Sequence, residues 1–484
     1  MASLIPDQKS LFKDFSKIVG EDDVSIDETE LFAYSLDASN HQGEPWAIVR
    51  PKDKDELVQI LKFCNEHGIP VNPRGAGTSL AGQALTLRGG IILDMRKMNK
   101  IKEIIVGDRT VVVEPGVIYS KLNEELSKYG YCFPPEPGSA MSCTLGGMVG
   151  NNASGIRAVK YGVTRDFVLG LEVVLPNGEV IKTGSRSIKT SSGYDLTRLF
   201  VGSEGTLGVF TEIALKILPM PKYAQVLIAV FKSVVDAGKV ASQIINSGIT
   251  PSAMELVDQF CAAAMNPALR NPLPLGEANL MIETDGTMEE NVKGEMEKVK
   301  KICLENGAVE VRVSQDPEDR RQMWKARDSV YTRLTQLRGE SIVVHGVSDT
   351  GVPISRVPEA LRELKDVAKK AGAPLIVMFG HIGDGNVHIG LSIDPTKEIE
   401  KGDKIGRAIA ETVLNKYRGT ITAEHGAGLS KAIFMPLEHG IALEYMRKIK
   451  RVFDPKGIMN PGMMALDEVP KSMFTNLPKK AGGR

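Results

Sequence analysis

Three histidines and one glutamate in the C-terminal third of the chain have residue types and spacing that suit a metal site. His381 and His388 lie seven residues apart in one glycine-rich segment, and Glu424 and His425 are adjacent in another. Two imidazoles at this spacing can turn towards one ion. A carboxylate from elsewhere completes a two-histidine, one-carboxylate set with positions open for substrate. Either histidine alone is more simply an ordinary hydrogen-bonded loop residue, but the two segments together favour a metal.

Three segments rich in glycine and hydroxyl residues predict a second kind of site. They span residues 73–82, 138–155 and 202–208. Small residues and free backbone N–H groups let such loops wrap phosphate oxygens closely. The first segment lacks the Gly-Lys-Ser/Thr ending of a Walker A loop, and its third glycine comes too late for a dinucleotide fingerprint. Alone it is equally consistent with a tight structural turn; with the other two segments it indicates one long polyanionic ligand.

Composition narrows the class of protein. The chain has 484 residues, and its 60 Lys and Arg balance 60 Asp and Glu, which disfavours a nucleic-acid binder that relies on a positive field. Five cysteines without a Cys-x-x-Cys pair disfavour a disulfide framework, a zinc ribbon and a cysteine-ligated iron–sulfur cluster. We find no secretory signal pattern and no apolar run approaching the roughly 20 residues that span a bilayer. We therefore expect a cytoplasmic protein without a nucleic-acid partner.

Alternating strand and helix patterns position these segments and predict an α+β fold. Residues 1–44 have the pattern of an amphipathic helical lead-in, and residues 45–221 carry the three glycine-rich segments on alternating strands and helices. New strand–helix units begin after the Pro-Met-Pro sequence at 219–221. We therefore expect a second domain over 222–420 and a C-terminal segment over 421–484, which includes a helix at 437–453.

The three glycine-rich segments resemble, in order and spacing, the FAD-binding domain of the vanillyl-alcohol-oxidase-like flavoproteins. That resemblance implies that the first loop cradles the FAD pyrophosphate. The second segment would run along the pyrophosphate and isoalloxazine, and the third would contact the adenine-side half. The residues implied as FAD contacts are Pro73, Arg74, Gly75, Ala76, Gly77, Thr78, Ser79, Gly82, Pro137, Gly138, Ser142, Thr144, Gly146, Gly147, Asn151, Ala153, Gly155, Glu204, Gly205, Gly208, Val209 and Asn460. Many relatives attach FAD covalently through a histidine at the end of the first loop; Thr78 stands there, which implies non-covalent FAD.

Residues 222–463 resemble the cap and C-terminal region of the FAD-linked D-2-hydroxy-acid dehydrogenases. This family includes D-lactate dehydrogenase, the glycolate oxidase flavin subunit and D-2-hydroxyglutarate dehydrogenase. The resemblance implies a two-part FAD-binding domain of the vanillyl-alcohol-oxidase type, an α+β (ferredoxin-like) cap domain and a helical C-terminal segment. It also implies that His381, His388 and Glu424 bind one divalent metal ion (Zn, Fe or Mn). His425 is then the catalytic base, and Arg327, by composition alone a surface ion-pair residue, binds the substrate carboxylate.

Departures from the family pattern bear on the substrate. Relatives that act on hydroxyglutarate carry Thr and Lys four and fifteen residues beyond this arginine, and Asn two residues past the second metal-ligand histidine. This chain has Tyr331, Ile342 and Gly390 there. A monocarboxylate is therefore expected, D-lactate first and glycolate second, while Arg333 or Arg338 leaves a dicarboxylate such as D-2-hydroxyglutarate open.

Sequence motifs also bear on where electrons go. The chain has no haem-attachment or iron–sulfur motif, so we expect electrons to leave to a partner: an electron-transfer flavoprotein, an iron–sulfur subunit, or a quinone or cytochrome. Peripheral association with the inner face of a membrane is an open alternative to a purely cytoplasmic location. An oxidase that reduces O₂, a flavin-independent metallohydrolase and a non-catalytic FAD-fold subunit are the remaining alternatives. The last two are less favoured, because the glycine-rich loops and the His/Glu cluster are all present.

Overall fold

The computed structural model describes residues 7–269, 272–336, 342–344, 349–373, 375–394 and 397–477. The helices are α1 (Gln8–Val19), α2 (Glu28–Tyr34), α3 (Lys54–His67), α4 (Tyr119–Ser127), α5 (Leu145–Asn151), α6 (Ala158–Tyr161), α7 (Leu196–Phe200), α8 (Val234–Asn246), α9 (Gln259–Met265), α10 (Glu289–Glu305), α11 (Pro317–Gln336), α12 (Val357–Lys370), α13 (Ile399–Glu411), α14 (Met435–His439) and α15 (Ala442–Phe453). The strands are β1 (Val24–Ser25), β2 (Ala47–Val49), β3 (Val71–Arg74), β4 (Ile91–Asp94), β5 (Ile101–Ile105), β6 (Thr110–Val113), β7 (Tyr131–Cys132), β8 (Val168–Val174), β9 (Val180–Gly184), β10 (Val209–Lys216), β11 (Leu218–Pro219), β12 (Tyr223–Phe231), β13 (Ala253–Asp258), β14 (Ala278–Gly286), β15 (Ala308–Val313), β16 (Ile342–Val344), β17 (Thr350–Gly351), β18 (Ile376–His381) and β19 (Asn386–Ile393).

Among the described residues, the N-terminal half contains two larger sheets and the two-stranded pair β11–β7. The first has the strand order β1–β2–β4–β3, in which β2, β4 and β3 run parallel, and the second has the antiparallel order β5–β6–β10–β8–β9. Strands β2 and β4 are buried along their whole length, as expected for parallel strands covered on both faces. Strand β3 ends at Arg74, so the first glycine-rich loop leaves the carboxyl edge of the parallel sheet.

Helix α3 shows how local sequence determines this half. The Asp53 carboxylate accepts the N–H groups of Asp55 and Glu56 at 2.9 and 3.0 Å and so begins the helix. Gly68 ends it with a left-handed φ of 67°. The residues between these caps bury one apolar face, formed by Leu57, Ile60, Leu61 and Cys64.

The second half is built on one large sheet with the order β15–β12–β14–β13–β18–β19–β16, and β17 also pairs with β19. Helices α8, α10 and α12 contribute buried residues to the main core on this sheet. Neighbouring strands β13 and β18 pair Glu255 with His381, and β18 and β19 pair Phe379 with His388. The sheet order therefore brings Glu255 and both predicted metal-ligating histidines to one place.

The C-terminal segment returns to the first sheet. The Val71 N–H donates to the Ile458 carbonyl, and the Asn460 N–H donates to the Val71 carbonyl, both at 2.8 Å. The predicted single helix over 437–453 is wrong in detail: Gly440, with a φ of 50°, separates α14 from α15. Across the described residues, no helix has the length and apolar composition needed to cross a bilayer.

Candidate active site

Glu424 lies at the centre of a buried cluster of histidines. Its Oε1 atom is 3.2 Å from Nε2 of His381, 3.2 Å from Nε2 of His388 and 3.4 Å from Nε2 of His425. Burial alone would raise the pKa of Glu424, but the facing histidines outweigh it and hold this pKa well below its ordinary value. Glu424 is therefore an ionised acceptor surrounded by three imidazole nitrogens.

This donor set fits a divalent transition metal. Ligand atoms about 2.1 Å from one ion lie about 3–3.5 Å from one another, and the separations at Glu424 are of that size. Imidazole nitrogen and carboxylate oxygen are ligands that Zn, Fe and Mn accept. The structure thus brings together His381, His388 and Glu424 as expected, with His425 beside them.

A tight β-hairpin explains how two histidines seven residues apart become neighbours. His381 ends β18 and His388 lies in β19, with their ring centroids 5.5 Å apart. Gly385 turns the chain with a φ of 85°, and a Cβ there would lie only 2.0 Å from the Val352 carbonyl oxygen. Glycine at position 385 is therefore required by the turn.

Glu255 links Arg327 to His381. Its Oε1 atom lies 2.6 Å from Nδ1 of His381, and its Oε2 atom accepts a hydrogen bond from the Arg327 guanidinium. Burial opposes ionisation of Glu255, but Arg327 and His381 outweigh it and lower the pKa of this carboxyl. An ionised carboxylate only accepts, so Nδ1 of His381 donates to it and Nε2 faces Glu424.

Asp349 is a buried carboxylate that the sequence analysis missed. Its Oδ2 atom accepts the N–H groups of Glu424 and His425 at 3.0 and 2.8 Å and lies 3.2 Å from Nζ of Lys431. Burial opposes ionisation, but Lys431, His425 and His388 together outweigh it, and the pKa of Asp349 falls below its ordinary value. Asp349 therefore fixes the backbone that carries Glu424 and His425.

Asp349 also offers an alternative ligand set. One donor atom from each of Asp349, His388, Glu424 and His425 lies within 4.8 Å of the others. The Oδ2 atom of Asp349 already accepts two backbone N–H groups, and its Oδ1 atom accepts the Asn386 amide at 2.9 Å. We therefore retain His381, His388 and Glu424 as the ligand prediction and regard Asp349 as the residue that holds the backbone of Glu424.

The N-terminal half holds the loop that carries His425. The His425 carbonyl accepts from the side-chain amides of Gln83 and Asn151 at 2.8 and 3.1 Å. The Glu204 carboxylate accepts the N–H groups of Ala427 and Gly428 at 2.8 and 2.9 Å. Burial raises the pKa of Glu204 to about 7, although these N–H groups oppose the rise. Glu204 and Asn151, both predicted FAD contacts, thus reach the active-site loop.

The three glycine-rich segments touch one another. A Cβ on Gly75 would lie 2.1 Å from Oγ1 of Thr144, and a Cβ on Gly205 would lie 2.7 Å from Cγ of Pro73. These approaches require glycine and bring the first loop against both others. They form one glycine-walled cradle with many backbone N–H groups, which suits a dinucleotide with a pyrophosphate.

Two predicted FAD residues use their side chains to hold this cradle. The Arg74 guanidinium donates to the carbonyls of Tyr34, Leu36 and Ala84 and lies beneath Gly77. The Asn460 amide donates to the carbonyls of Gln83 and Glu204. The other predicted FAD contacts lie in the same segments or directly beside them: Ala76, Thr78, Ser79, Gly82, Pro137, Gly138, Ser142, Gly146, Gly147, Ala153, Gly155, Gly208 and Val209.

An ion network joins the FAD-binding segment to the large sheet. The Arg157 guanidinium lies 2.6 Å from Glu136 and 3.1 Å from Glu283, while the Lys160 ammonium lies 2.5 Å from Asp285. The two acidic residues on β14 are almost completely buried. The network therefore holds residues 136–160 against the sheet that carries the histidines.

The positions that bear on the choice of substrate lie in three different elements. Tyr331 lies in α11, Ile342 in β16 and Gly390 in β19, where it pairs with Val377. The Arg333 Nε atom donates to Oγ of Ser329 at 3.2 Å. Arg338 lies outside the described residues.

Comparison with known proteins identifies the family. The model of the C-terminal domain of FAD-linked oxidases matches residues 220–464, and that of an FAD-binding domain matches residues 45–184. The chain is 38% identical to the Bacillus subtilis glycolate oxidase subunit GlcD, with 89% of this chain and 91% of the relative covered. It is 37% identical to the mitochondrial D-lactate dehydrogenase [cytochrome] of Arabidopsis thaliana (93% and 79% covered) and 32% identical to a D-lactate dehydrogenase of Anaerostipes hadrus (94% and 97%).

Solved structures share the architecture. p-Cresol methylhydroxylase superposes with a TM-score of 0.77 at 19% identity, covering 95% of this chain and 97% of the other. The 4-ethylphenol oxidase of Gulosibacter chungangensis superposes with a TM-score of 0.75 at 17% identity, covering 97% and 99%. These neighbours confirm the expected vanillyl-alcohol-oxidase-type fold. The chain is a member of the FAD-linked oxidase family and an FAD-dependent oxidoreductase.

Proposed function

We propose that this protein is an FAD- and metal-dependent dehydrogenase that oxidises a D-2-hydroxy acid to the 2-keto acid. D-Lactate, which would give pyruvate, is the first candidate substrate. The observation that carries the proposal is the convergence of His381, His388 and His425 on Glu424 in a chain with an FAD-binding domain. Relatives named D-lactate dehydrogenase and glycolate oxidase subunit support the same substrate class.

Different residues of the site would have different roles in an alcohol oxidation. When bound, FAD supplies a two-electron acceptor, and a divalent metal held by His381, His388 and Glu424 supplies a Lewis acid that lowers the pKa of a hydroxyl group. His425 is the most exposed of the three histidines, with 21% of its side chain accessible. Its Nε2 atom is suited to take the hydroxyl proton as a general base.

Asp349 orients His425, and Glu255 orients Arg327 and His381. Oδ2 of Asp349 lies 3.7 Å from Nδ1 of His425, and Oε1 of Glu424 lies 3.4 Å from its Nε2. With Glu424 engaged by a metal, Asp349 would be the carboxylate that favours the tautomer whose Nε2 can accept a proton. Arg327 keeps 16% of its side chain accessible beside the buried Glu255 and is the candidate for the substrate carboxylate, which a guanidinium can bind with two parallel hydrogen bonds. Glu255 thereby connects carboxylate binding to the position of His381.

Three described cations are paired with buried acidic groups, which disfavours a second substrate carboxylate; Arg333, whose Nε donates to Ser329, is the described cation that leaves a dicarboxylate open. Arg327 pairs with Glu255, Lys431 with Asp349, and Arg320 with Glu283. A second substrate carboxylate would compete with one of these buried acidic groups for its partner. Glycolate is therefore the second candidate substrate, and D-2-hydroxyglutarate the third.

The route of the electrons is part of the proposal. Electrons would pass from non-covalently bound FAD, with Thr78 at the position where many relatives attach it, to a separate acceptor. An electron-transfer flavoprotein, an iron–sulfur subunit, and a quinone or cytochrome are the candidates. A cytoplasmic location, with or without peripheral contact with the inner face of a membrane, is consistent with each of them.

Anaerobic bleaching of the flavin absorbance by a panel of D- and L-2-hydroxy acids tests the substrate assignment. We expect D-lactate to bleach the flavin faster than glycolate or D-2-hydroxyglutarate, and L-lactate to leave it oxidised. Bleaching by L-lactate and not by D-lactate would contradict the proposal. Faster bleaching by D-2-hydroxyglutarate would retain the reaction and overturn the choice of substrate.

A further inference from the structure

Helix α15 presents an apolar stripe to solvent. Ile441, directly before the helix, and Tyr445, Ile449 and Val452 within it are 75%, 60%, 36% and 76% exposed. Their spacing of four, four and three residues places them on one face. Single exposed apolar residues are ordinary, whereas an aligned set marks an interaction surface. We call these four residues the α15 stripe.

The opposite face of α15 is tied firmly to the protein. Leu443 is buried, and the buried Lys450 ammonium donates to the carbonyls of Thr206 and Met459, both at 2.7 Å. The Arg447 guanidinium donates to the Ala465 carbonyl at 2.7 and 3.0 Å. The helix is therefore held in an orientation that keeps the α15 stripe outward, so rotation cannot bury it.

Charged residues along one flank of the stripe are ordered so that they can pair with the same flank of a second, antiparallel copy. Glu444 precedes Lys448 and Arg451 on the same flank. Among the described residues, no carboxylate pairs with Lys448 or Arg451, while Glu444 pairs only with Arg447 in its own helix. Two identical helices packed antiparallel about a two-fold axis place matching flanks together, which brings Glu444 of each copy opposite Lys448 and Arg451 of the other.

In the same antiparallel register, the apolar residues of one copy lie opposite apolar residues of the other. With the axis near the middle of the stripe, Ile441 of one copy meets Val452 of the other, and Tyr445 meets Ile449. The stripe covers eleven residue steps, or about 16 Å of helix. A lipid surface is a poorer occupant, because it would supply no cation opposite Glu444, whereas a second copy places Lys448 and Arg451 there. We propose that the α15 stripe is a self-association surface through which two copies of this chain pair antiparallel.

The expected dimer is weak. One helix pair buries less than the roughly 1,200 Å² of a stable interface, so we expect dissociation in the micromolar range. Sedimentation velocity of the FAD-loaded protein from about 1 to 100 μM should show the mass rising from 52.5 kDa towards twice that value. Val452→Glu should keep the protein monomeric with unchanged FAD content. Leu304→Glu alters an exposed apolar residue on α10, 52% accessible, and should leave dimerisation unchanged.

Charge reversal tests the antiparallel register. Glu444→Arg places like charges opposite one another and should weaken the dimer at least tenfold. Adding Lys448→Glu and Arg451→Glu to that variant restores opposite charges at each contact and should recover most of the affinity. A wild-type protein that stays monomeric at the highest concentration would overturn the proposal, as would a Val452→Glu variant that dimerises like the wild type. Failure of the triple variant to recover would overturn the antiparallel register.

Discussion

Removal of the Glu204 carboxylate should impair catalysis, although Glu204 itself is not expected to touch the substrate. Glu204 accepts the N–H groups of Ala427 and Gly428, two and three residues after His425. Glu204→Ala leaves both N–H groups buried without these acceptors, and each loss costs about 1–3 kcal/mol. Even the lower total, about 2 kcal/mol, corresponds to about a 30-fold fall in rate if the loop relaxes and displaces His425.

The assay compares kcat and KM for D-lactate in FAD-loaded protein. We expect Glu204→Ala to lower kcat by about 30- to 100-fold with KM changed less than about threefold, because Arg327 is untouched. Glu204→Gln keeps one acceptor oxygen and should recover to within about tenfold of the wild type. Glu172→Gln is the matched control, since this buried carboxylate bonds Thr211 and Lys54 away from the loop.

Two outcomes are incompatible with a role for Glu204 in holding the loop. One is an FAD-loaded Glu204→Ala variant with wild-type kcat, because the loop would then not depend on the carboxylate. The other is an increase in KM alone, because that would place Glu204 in substrate binding and not in positioning His425.

Substitutions at Gly75, Arg157 and Glu204 test the cofactor cradle, the ion network and the buried acid. Gly75→Ala should weaken FAD binding to the apoprotein at least tenfold in a fluorescence titration, because the new Cβ would lie 2.1 Å from Oγ1 of Thr144; Gly107→Ala, with open space around it, should not. Arg157→Met should lower the unfolding free energy by about 2–4 kcal/mol, because Glu283 and Asp285 stay buried without that partner, and an unchanged thermal midpoint would contradict this. Protonated Glu204 should contribute stability fully below pH 4.5, and up to about 3 kcal/mol of unfolding free energy should be lost as pH rises through about 7. Denaturation curves of Glu204→Gln with the same pH dependence would show that Glu204 is not the group responsible.

Local sequence predicted the elements whose ends are fixed by nearby residues. Helix α3 is of this kind, since Asp53 caps its start, Gly68 ends it, and its amphipathic spacing acts within a few residues. The helix predicted over 437–453 failed at Gly440, where a left-handed conformation outweighs the continuing apolar pattern. FAD binding followed from the resemblance, and the family comparison confirms it; the metal remains a prediction.

The functional residues that no sequence pattern revealed are far along the chain from the groups that they contact. Glu255 is 126 residues from His381, and Gln83 is 342 residues from the His425 carbonyl that it holds. Asp349 is 76 residues before His425 and has no metal-ligand spacing of its own. Their roles arise from the order of the strands in the large sheet and from the docking of the C-terminal loop on the N-terminal half. No local pattern encodes either arrangement.

The cluster around Glu424 is expected to hold a metal that substrate oxidation by the flavin requires. Anaerobic flavin reduction by D-lactate in the wild type and in His388→Ala, each with its FAD and metal content measured, tests it most directly. We predict one equivalent of metal and rapid bleaching in the wild type. The variant should have full FAD, little metal and bleaching slowed by at least about 100-fold. A variant that keeps its metal, or that loses it and is still reduced at the wild-type rate, would contradict the account.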